Sequence, residues 1–226
     1  MTCPVFYSLH PDIKKEIVVI PNFIELAKAK PIENIACHRS LMACENEMII
    51  THISNFRKVK RIEDIVKIFY EIQKEIPSKL MMVGEGPEKE NAEYLCNQLG
   101  IQNKVIFFGN SNEIDKILSY SDLFLLPSET ESFGLAALEA MAVSVPVISS
   151  NTGGIPEVNI HGVTGYLSNV GDVEDMAKNA LKILKDDETL NQFKVNALKR
   201  AHDFDLDNIL PMYEKIYFDL VPSVAK

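Results

Sequence analysis

The fold class of this chain is decided by the stretch Leu123-Phe-Leu-Leu-Pro-Ser-Glu-Thr-Glu-Ser-Phe-Gly-Leu-Ala-Ala-Leu-Glu-Ala-Met-Ala142. Its four leading apolar residues, Leu123–Leu126, do not alternate with polar ones, so they predict a strand that is covered on both faces. After a short acidic turn, Leu135–Ala142 predicts a helix that begins near Gly134. A doubly covered strand followed by a helix is typical of an α/β fold with a parallel sheet.

The same alternation of strand and helix extends in both directions from this stretch. Four further strands are predicted at Met48–Ile53, Leu80–Val83, Val105–Phe108 and Pro146–Ser149. Helices are predicted from an apolar stripe at helical spacing (Ile62, Ile65, Val66, Phe69, Ile72), from the segment between Pro87 and Gly100, and from Glu113–Tyr120. We therefore predict an α/β fold with a doubly wound, Rossmann-like parallel sheet, whose motif-bearing turns share the rim at the carboxyl ends of the strands.

Two segments lie outside this alternation. Residues 1–47 contain a predicted short strand at Ile17–Ile20 within an otherwise irregular stretch, and residues 203–226 contain a predicted terminal helix with Asp205 as its N-cap. We expect residues 48–202 to form one Rossmann-like domain, and we expect the two flanking segments to connect it to another unit.

Composition excludes several classes of partner. The chain has 226 residues, 46% of them hydrophobic, and a net charge of −9, so no general basic field is available to hold nucleic acid or anionic lipid. The opening residues lack a basic segment followed by an apolar core, and no apolar run approaches about 18 residues, so we expect neither a signal peptide nor a membrane span. The four cysteines lack paired spacing, which predicts a reduced, cytoplasmic protein.

The acidic turn after Leu126 is the most informative candidate site. A helix that begins near Gly134 presents unpaired backbone N–H groups and a positive dipole end, which suit a diphosphate. Glu131 precedes this helix and Glu139 lies about one and a half turns into it, so the two carboxylates can bracket an elongated ligand and accept hydrogen bonds from vicinal hydroxyls. Spacing alone equally fits a loop carboxylate and a solvated helix residue.

A cluster of cations follows the first predicted strand. The segment Ser54-Asn-Phe-Arg-Lys-Val-Lys-Arg61 places four cations at the same rim, where lysine and arginine can bind phosphate through charge-assisted hydrogen bonds. The alternative interpretation is the charged start of a helix.

Three glycine-containing turns follow other predicted strands, namely Gly84-Glu-Gly-Pro87, Phe108-Gly109-Asn110 and Asn151-Thr-Gly-Gly-Ile-Pro-Glu157. Each also fits an ordinary turn, although Gly153 and Gly154 can bring backbone N–H groups toward a ligand. The first turn lacks the third glycine of a dinucleotide-binding fingerprint, which argues against an oxidoreductase of that type.

Two other patterns carry no predicted chemistry. Asp203-Phe-Asp-Leu-Asp207 imitates a metal-binding Asp-x-Asp motif, but it stands immediately before the predicted terminal helix. The five histidines are scattered and none shares a short motif with a nucleophilic serine or cysteine, so no hydrolase triad is predicted.

The pair Glu131-x7-Glu139, within Glu-Ser-Phe-Gly-Leu-Ala-Ala-Leu-Glu-Ala-Met-Ala, resembles the signature of the family 4 retaining glycosyltransferases, which have the two-domain GT-B architecture. The resemblance implies that Glu131 contacts the donor sugar and that Glu139 holds the ribose hydroxyls, with no metal and no cofactor. It also implies that the chain is the second, donor-binding half of a GT-B enzyme, with residues 1–47 as the remnant of the first domain and the connection to it, and residues 203–226 as a helix that crosses back. The acceptor-binding first domain is not located in this sequence.

The same resemblance assigns roles to the cations. The family carries an arginine and, five residues later, a lysine that hold the diphosphate. Lys60 matches the lysine, whereas the arginine position falls on Asn55 and the nearest guanidinium belongs to Arg57. Glu131, Lys60 and Arg57 are therefore the predicted catalytic residues. The predicted donor-binding residues are Glu139, Ser132, Phe133, Gly134, Leu135, Gly84, Gly109, Asn110, Gly153 and Gly154.

Three segments together, Ile53-Ser-Asn-Phe-Arg-Lys-Val-Lys-Arg61, Glu129-Thr-Glu-Ser-Phe-Gly134 and Asn151-Thr-Gly-Gly-Ile-Pro-Glu-Val158, resemble one branch of this family in particular. That branch acts in bacillithiol biosynthesis and joins N-acetylglucosamine from UDP-GlcNAc to L-malate. The resemblance implies UDP-GlcNAc as donor, and L-malate bound through the N-terminal domain. A UDP-sugar-binding fragment that is inactive alone, and a family member with another donor or acceptor, remain open alternatives, as does a homo-oligomer.

Overall fold

A computed structural model describes Asp12, residues 17–26 and residues 35–220. Within these residues, six strands form one sheet in which every paired neighbour is parallel. The strands are β1 Met48–Ile53, β2 Ser78–Val83, β3 Val105–Gly109, β4 Leu123–Leu126, β5 Val147–Ser150 and β6 Gly165–Ser168. Their order across the sheet, β3-β2-β1-β4-β5-β6, is the doubly wound order of a Rossmann fold. The predicted fold class is confirmed.

Helices cover both faces of this sheet. They are α1 Ile35–Met42, α2 Ile62–Glu75, α3 Lys89–Gln98, α4 Ile114–Ser119, α5 Leu135–Ala142, α6 Ile155–Val158, α7 Val173–Leu184, α8 Asp187–His202 and α9 Leu206–Leu220. Alternate strand residues such as Ile50 and Leu80 pack with α2 and α7 in one core cluster. Residues of opposite orientation, such as Phe124 and Leu126, pack with α5, α6 and α8 in another. The apolar strand residues therefore find helices on either side, as their lack of alternation predicts.

Agreement with the sequence is closest in the centre of the sheet. The structure has β1, β4 and α5 at the predicted bounds, whereas β6 was not predicted at all. The strand predicted at Ile17–Ile20 is wrong, because the backbone there is irregular and the local pairing falls later, at an isolated bridge between Ile24 and Asp205. The segment 35–42, expected to be irregular, is helix α1.

The predicted terminal helix is present, and Asp205 stands immediately before it. The final helix begins at Leu206, and the Asp205 carboxylate accepts a hydrogen bond from the Leu26 amide at 3.3 Å. Asp203 forms an ion pair with Arg200 at 2.9 Å. The start of β1 and the end of α8 coincide with the predicted limits 48–202, but the division into domains stays a prediction. No helix in the described part of the chain is long and apolar enough to span a membrane.

The centre of the sheet is also where its strand order reverses. β1 and β4 are adjacent in the sheet although β2 and β3 separate them in sequence. The crevice beyond the carboxyl ends of two such strands is where open α/β sheets bind ligands. The chain segments that leave β1 and β4 therefore form the candidate site.

Candidate functional site

Two loops meet at the reversal of strand order. The basic loop, residues 54–61, follows β1, and the acidic loop, residues 127–134, follows β4. The Glu129 amide donates to the Val59 carbonyl oxygen at 2.8 Å and joins the two loops through their backbones. Close by, Lys60 Nζ lies 2.6 Å from Glu131 Oε2, with 20% and 16% of the two side chains exposed. The structure thus brings together two of the three predicted catalytic residues as a partly buried ion pair.

Local backbone geometry explains how Lys60 reaches the pair. Lys58–Lys60 form a single 3-10 turn, closed by the Lys60 amide, which donates to the Arg57 carbonyl oxygen at 2.9 Å. Arg61 then adopts a left-handed conformation (φ 52°) before α2 begins. This abrupt change of direction turns Lys60 toward the acidic loop. The side chain of Arg57 is exposed, and its predicted contact with a diphosphate stays a prediction.

The N-terminus of α5 lies beside this ion pair in the chain. Gly134 is the N-cap residue at φ +95°, a conformation that favours glycine, and no side chain caps the helix. The amide of Leu138 donates to the Gly134 carbonyl oxygen, so the preceding amides of the first turn are the donors that a helix leaves for a ligand. Ser132 is exposed and Leu135 is 44% exposed at this end. Backbone N–H groups at such a helix end can bind an anion.

Phe133, also predicted to bind the donor, has a different surrounding. Its side chain is 7% exposed, and its ring centroid lies 5.5 Å from that of Phe204 in an edge-on arrangement. The ring therefore anchors the acidic loop to the chain that follows α8. Only the backbone of Phe133 remains for contact with a ligand.

The two glycines after β5, Gly153 and Gly154, pack closely against the backbone of the acidic loop. A Cβ at Gly153 would lie 1.9 Å from the Glu131 carbonyl oxygen, and one at Gly154 would lie 2.2 Å from that of Ser132. The Gly154 amide donates to the Glu131 carbonyl oxygen at 3.0 Å. This amide, which the sequence suggested for a ligand, is therefore used inside the protein, and the two glycines set the position of the Glu131 backbone.

A parallel arrangement supports the basic loop. A Cβ at Gly84 would lie 1.8 Å from the Ser54 carbonyl oxygen, and the Phe56 amide donates to the Glu85 carbonyl oxygen at 3.0 Å. The Gly84 amide donates to the Gly109 carbonyl oxygen at 2.8 Å, while the following Asn110 is exposed. The backbones of Gly84 and Gly109 therefore help to position the basic loop. A direct contact of either glycine with a ligand stays a prediction.

Glu139 lies in a pocket of its own. The pocket has a volume of about 340 Å³, and its other lining residues include Asp115 of α4, Leu135 and residues 23–26. Burial raises the pKa of the Glu139 carboxyl above its ordinary value, and the negative charge of Asp115 raises it further. A carboxylate held this way gains from a partner that donates hydrogen bonds, as a pair of hydroxyls does. Sequence reasoning missed Asp115 and residues 23–26, because nothing in their local pattern indicates that they converge on α5.

A Rossmann-like sheet with a basic loop and a helix N-terminus at its strand reversal has the general architecture of α/β domains that bind phosphate-containing ligands. Comparison with known proteins narrows this class. The sequence model described as glycosyl transferases group 1 matches residues 37–200, so the chain belongs to that family. The resemblance to family 4 GT-B glycosyltransferases is confirmed.

Two curated relatives illustrate the sequence similarity. The chain is 41% identical over 208 residues to the N-acetyl-alpha-D-glucosaminyl L-malate synthase of Bacillus anthracis, covering 92% of this chain and 55% of the relative. It is 32% identical over 157 residues to the 2-deoxystreptamine N-acetyl-D-glucosaminyltransferase of Niallia circulans, covering 66% of this chain and 40% of that enzyme. The chain thus spans about half the length of the curated relatives it matches.

Solved structures share the fold. Anabaena Alr3699/HepE, crystallised with UDP and glucose, superposes with a TM-score of 0.83 at 23% identity, covering 89% of this chain and 57% of that one. The sucrose-phosphate synthase of Thermosynechococcus elongatus gives a TM-score of 0.84 at 24% identity, covering 98% and 57%. At these identities the similarity establishes the fold, which is that of GT-B glycosyltransferases.

Proposed function

We propose that this chain is the donor-binding half of a retaining glycosyltransferase that uses UDP-GlcNAc and transfers GlcNAc to L-malate, in bacillithiol biosynthesis. The observation that carries the proposal is the Lys60–Glu131 ion pair at 2.6 Å in the crevice before the N-terminus of α5. This arrangement offers a cation and backbone donors to a diphosphate and a carboxylate to a sugar. The name of the relative that is 41% identical supports GlcNAc as the sugar and malate as the acceptor.

Donor binding in this proposal divides among three groups. The diphosphate lies against the first-turn amides of α5 and Lys60, with Arg57 adding a second cation. Lys60 thereby exchanges part of its contact with Glu131 for phosphate oxygens, which frees Glu131 to accept hydrogen bonds from the sugar hydroxyls. Glu139 accepts hydrogen bonds from the ribose hydroxyls in its adjoining pocket.

Transfer breaks the bond between the anomeric carbon and the UDP oxygen and forms a bond from that carbon to the malate hydroxyl oxygen on the same face. Negative charge develops on the departing phosphate, where Lys60, Arg57 and the helix end stabilise it. The departing phosphate accepts the proton of the malate hydroxyl, so Glu131 is not required as a nucleophile. In this proposal malate binds mainly to the N-terminal domain of the complete enzyme.

Calorimetric titration of the chain with UDP tests the donor site. Glu139→Ala should weaken UDP binding roughly 100-fold or more, since two hydrogen bonds to a charged group, each worth about 1.5–3 kcal/mol, are lost. Glu129→Ala, which removes an exposed carboxylate from the acidic loop, should leave the affinity within about 2-fold of wild type. Equal affinity of Glu139→Ala and wild type would refute the ribose assignment.

A product assay with UDP-GlcNAc and L-malate tests whether the chain binds the donor without completing the transfer. A donor-binding half should bind UDP and form no product, and this result would support the proposal. Turnover by the chain alone would overturn it. Tighter binding of UDP-glucose than of UDP-GlcNAc would instead favour a family member with another donor.

A further inference from the structure

A buried histidine lies where β1 and β4 separate. The backbone pairing of the two strands reaches Thr51 and Phe124. One residue further along, the His52 side chain continues the connection, since its Nδ1 lies 2.8 Å from the Leu125 carbonyl oxygen. The imidazole thus replaces a backbone contact at the point where the crevice opens.

The other ring nitrogen points to the basic loop. His52 Nε2 lies 2.7 Å from Ser54 Oγ, and Ser54 is the first residue after β1. A carbonyl oxygen can only accept, so Nδ1 carries the hydrogen, and Nε2 of the neutral ring accepts the hydrogen bond that the Ser54 hydroxyl donates. The two contacts together determine one tautomer.

The surroundings of the ring hold it in the neutral form and in one orientation. His52 is fully buried, and burial lowers its pKa to about 4, with a smaller contribution in the same direction from the charge of Lys60. The rings of Phe56 and Phe124 each have their centroids 6.3 Å from the His52 ring centroid. Rotation of the imidazole is therefore restricted by packing as well as by hydrogen bonds.

Ser54 is in turn closely packed on its backbone side. Its carbonyl oxygen occupies the space where a side chain at Gly84 would lie. The hydroxyl contact with His52 and the backbone contact with Gly84 therefore fix the start of the basic loop from two directions. Six residues later the same loop carries Lys60 into its ion pair with Glu131.

We infer that His52 is a positioning residue of the donor site: by joining the Leu125 carbonyl oxygen to the Ser54 hydroxyl, it sets the distance between the end of β4 and the loop that carries Lys60. This inference rests on the proposed function, because the quantity that it controls is donor affinity. His52 acts through Ser54 and does not itself touch the donor.

The test uses calorimetric UDP binding by the chain, by three single variants and by one double variant. Ser54→Ala removes the hydroxyl, and His52→Asn retains an N–H for the Leu125 carbonyl oxygen but is too short to reach Ser54. Each should weaken UDP binding about 3- to 10-fold, the value of one hydrogen bond. Ser54→Thr, which keeps the hydroxyl, should stay within about 2-fold of wild type. The double variant should be no weaker than the poorer single one, because both changes break the same contact.

A second measurement reads the tautomer without any ligand. A long-range ¹H–¹⁵N spectrum should show His52 protonated at Nδ1 and unprotonated at Nε2, and Ser54→Ala should shift the Nε2 resonance. Protonation at Nε2 would overturn the inference.

The outcomes of the binding test are separable. If wild type binds UDP and Ser54→Ala binds it equally well, the role of His52 is overturned and the proposed function stays intact. Failure of wild type to bind UDP overturns the proposed function, and with it any donor site for His52 to position. If His52→Asn does not fold, Ser54→Ala and its Ser54→Thr rescue still decide the question.

Discussion

Ion clusters flank β4 at both ends, and they differ in how much of the carboxylate the fold itself uses. Just before β4, Asp122 accepts hydrogen bonds from Arg39 at 2.7 Å, from the Ile49 amide at 2.9 Å and from Lys194 at 3.2 Å. In the loop after β4, the Glu131 carboxylate accepts a hydrogen bond from Lys60 and from no other side chain among those that the structure describes. In the first cluster the carboxylate already accepts from three donors and is structural. In the second it accepts from one side chain and can accept further hydrogen bonds from a ligand.

Cavity size alone favours the opposite end of the sheet from the candidate site. The cavity lined by Asp122, Arg39 and Lys194 measures about 640 Å³, against about 340 Å³ for the pocket of Glu139. The larger space lies at the amino ends of the strands, where the Asp122 carboxylate already accepts hydrogen bonds from three donors. Unused hydrogen-bonding capacity at the carboxyl ends, beside a helix N-terminus, is the better guide to a site.

Removing the structural carboxylate should have the largest effect and should act on stability alone. Asp122→Ala removes the acceptor of Lys194 and of the buried Ile49 amide and one of the acceptors of Arg39. We expect a loss of about 3 kcal/mol in the free energy of unfolding. Chemical denaturation measures this loss, and calorimetry at a temperature where the variant is folded should show unchanged UDP affinity. A stability within about 1 kcal/mol of wild type, the value of one exposed ion pair, would show that the Asp122 cluster is not structural.

Removing the cation of the other cluster should reverse this pattern. Lys60→Ala breaks one partly exposed ion pair, so the free energy of unfolding should change by less than about 1 kcal/mol. UDP affinity should fall about 10- to 100-fold, because a charge-assisted contact with phosphate is lost. A large loss of stability with retained UDP binding would mean that both clusters are structural.

The centre of the fold was predictable because its signal is local. The apolar runs of β1 and β4 lack alternation and therefore identify buried parallel strands without any knowledge of their neighbours. The edge strand β6 was missed because it begins at Gly165, where a Cβ would lie 1.7 Å from the Val147 carbonyl oxygen. A glycine required by a neighbouring backbone resembles a turn residue in the sequence. Ile17–Ile20 failed for the converse reason, since β-branched residues predict a strand only if a partner strand is present.

The candidate site was predictable to the level of its loops and no further. Turns that follow β1 and β4 must share a rim, so the proximity of Lys60 and Glu131 was accessible from sequence. The support by Gly153 and Gly154 was not, because it depends on which carbonyl oxygen each one faces. The contact of His52 with Ser54 depends on where two strands diverge, which no local pattern encodes.

UDP binding and stability should both depend on the protonation of Glu139. The folded-state pKa of Glu139 is raised, so the folded protein binds that proton more tightly than the unfolded chain, and this group's contribution to stability increases as pH falls through the raised pKa. UDP binding should change in the opposite sense, weakening several-fold as pH falls through the same window, because ribose hydroxyls need the ionised acceptor. Titration of UDP affinity against pH measures this effect.

Two variants separate this titration from others. Glu139→Gln should abolish the pH dependence, and Asp115→Asn should move it to lower pH by removing the neighbouring charge. A pH profile that is identical in wild type and Glu139→Gln would assign the dependence to another group.

The smallest effect is expected for Lys194→Ala, and it provides the matched control for Lys60→Ala. Both lysines pair with a carboxylate close to an end of β4, and 29% of the Lys194 side chain is exposed against 20% of Lys60. Since Arg39 still holds Asp122, the loss in unfolding free energy should be about 0.5 kcal/mol and UDP affinity should not change. If Lys194→Ala lowered UDP affinity as much as Lys60→Ala, both effects would come from net charge. The contrast between a structural cluster and a ligand site would then no longer hold.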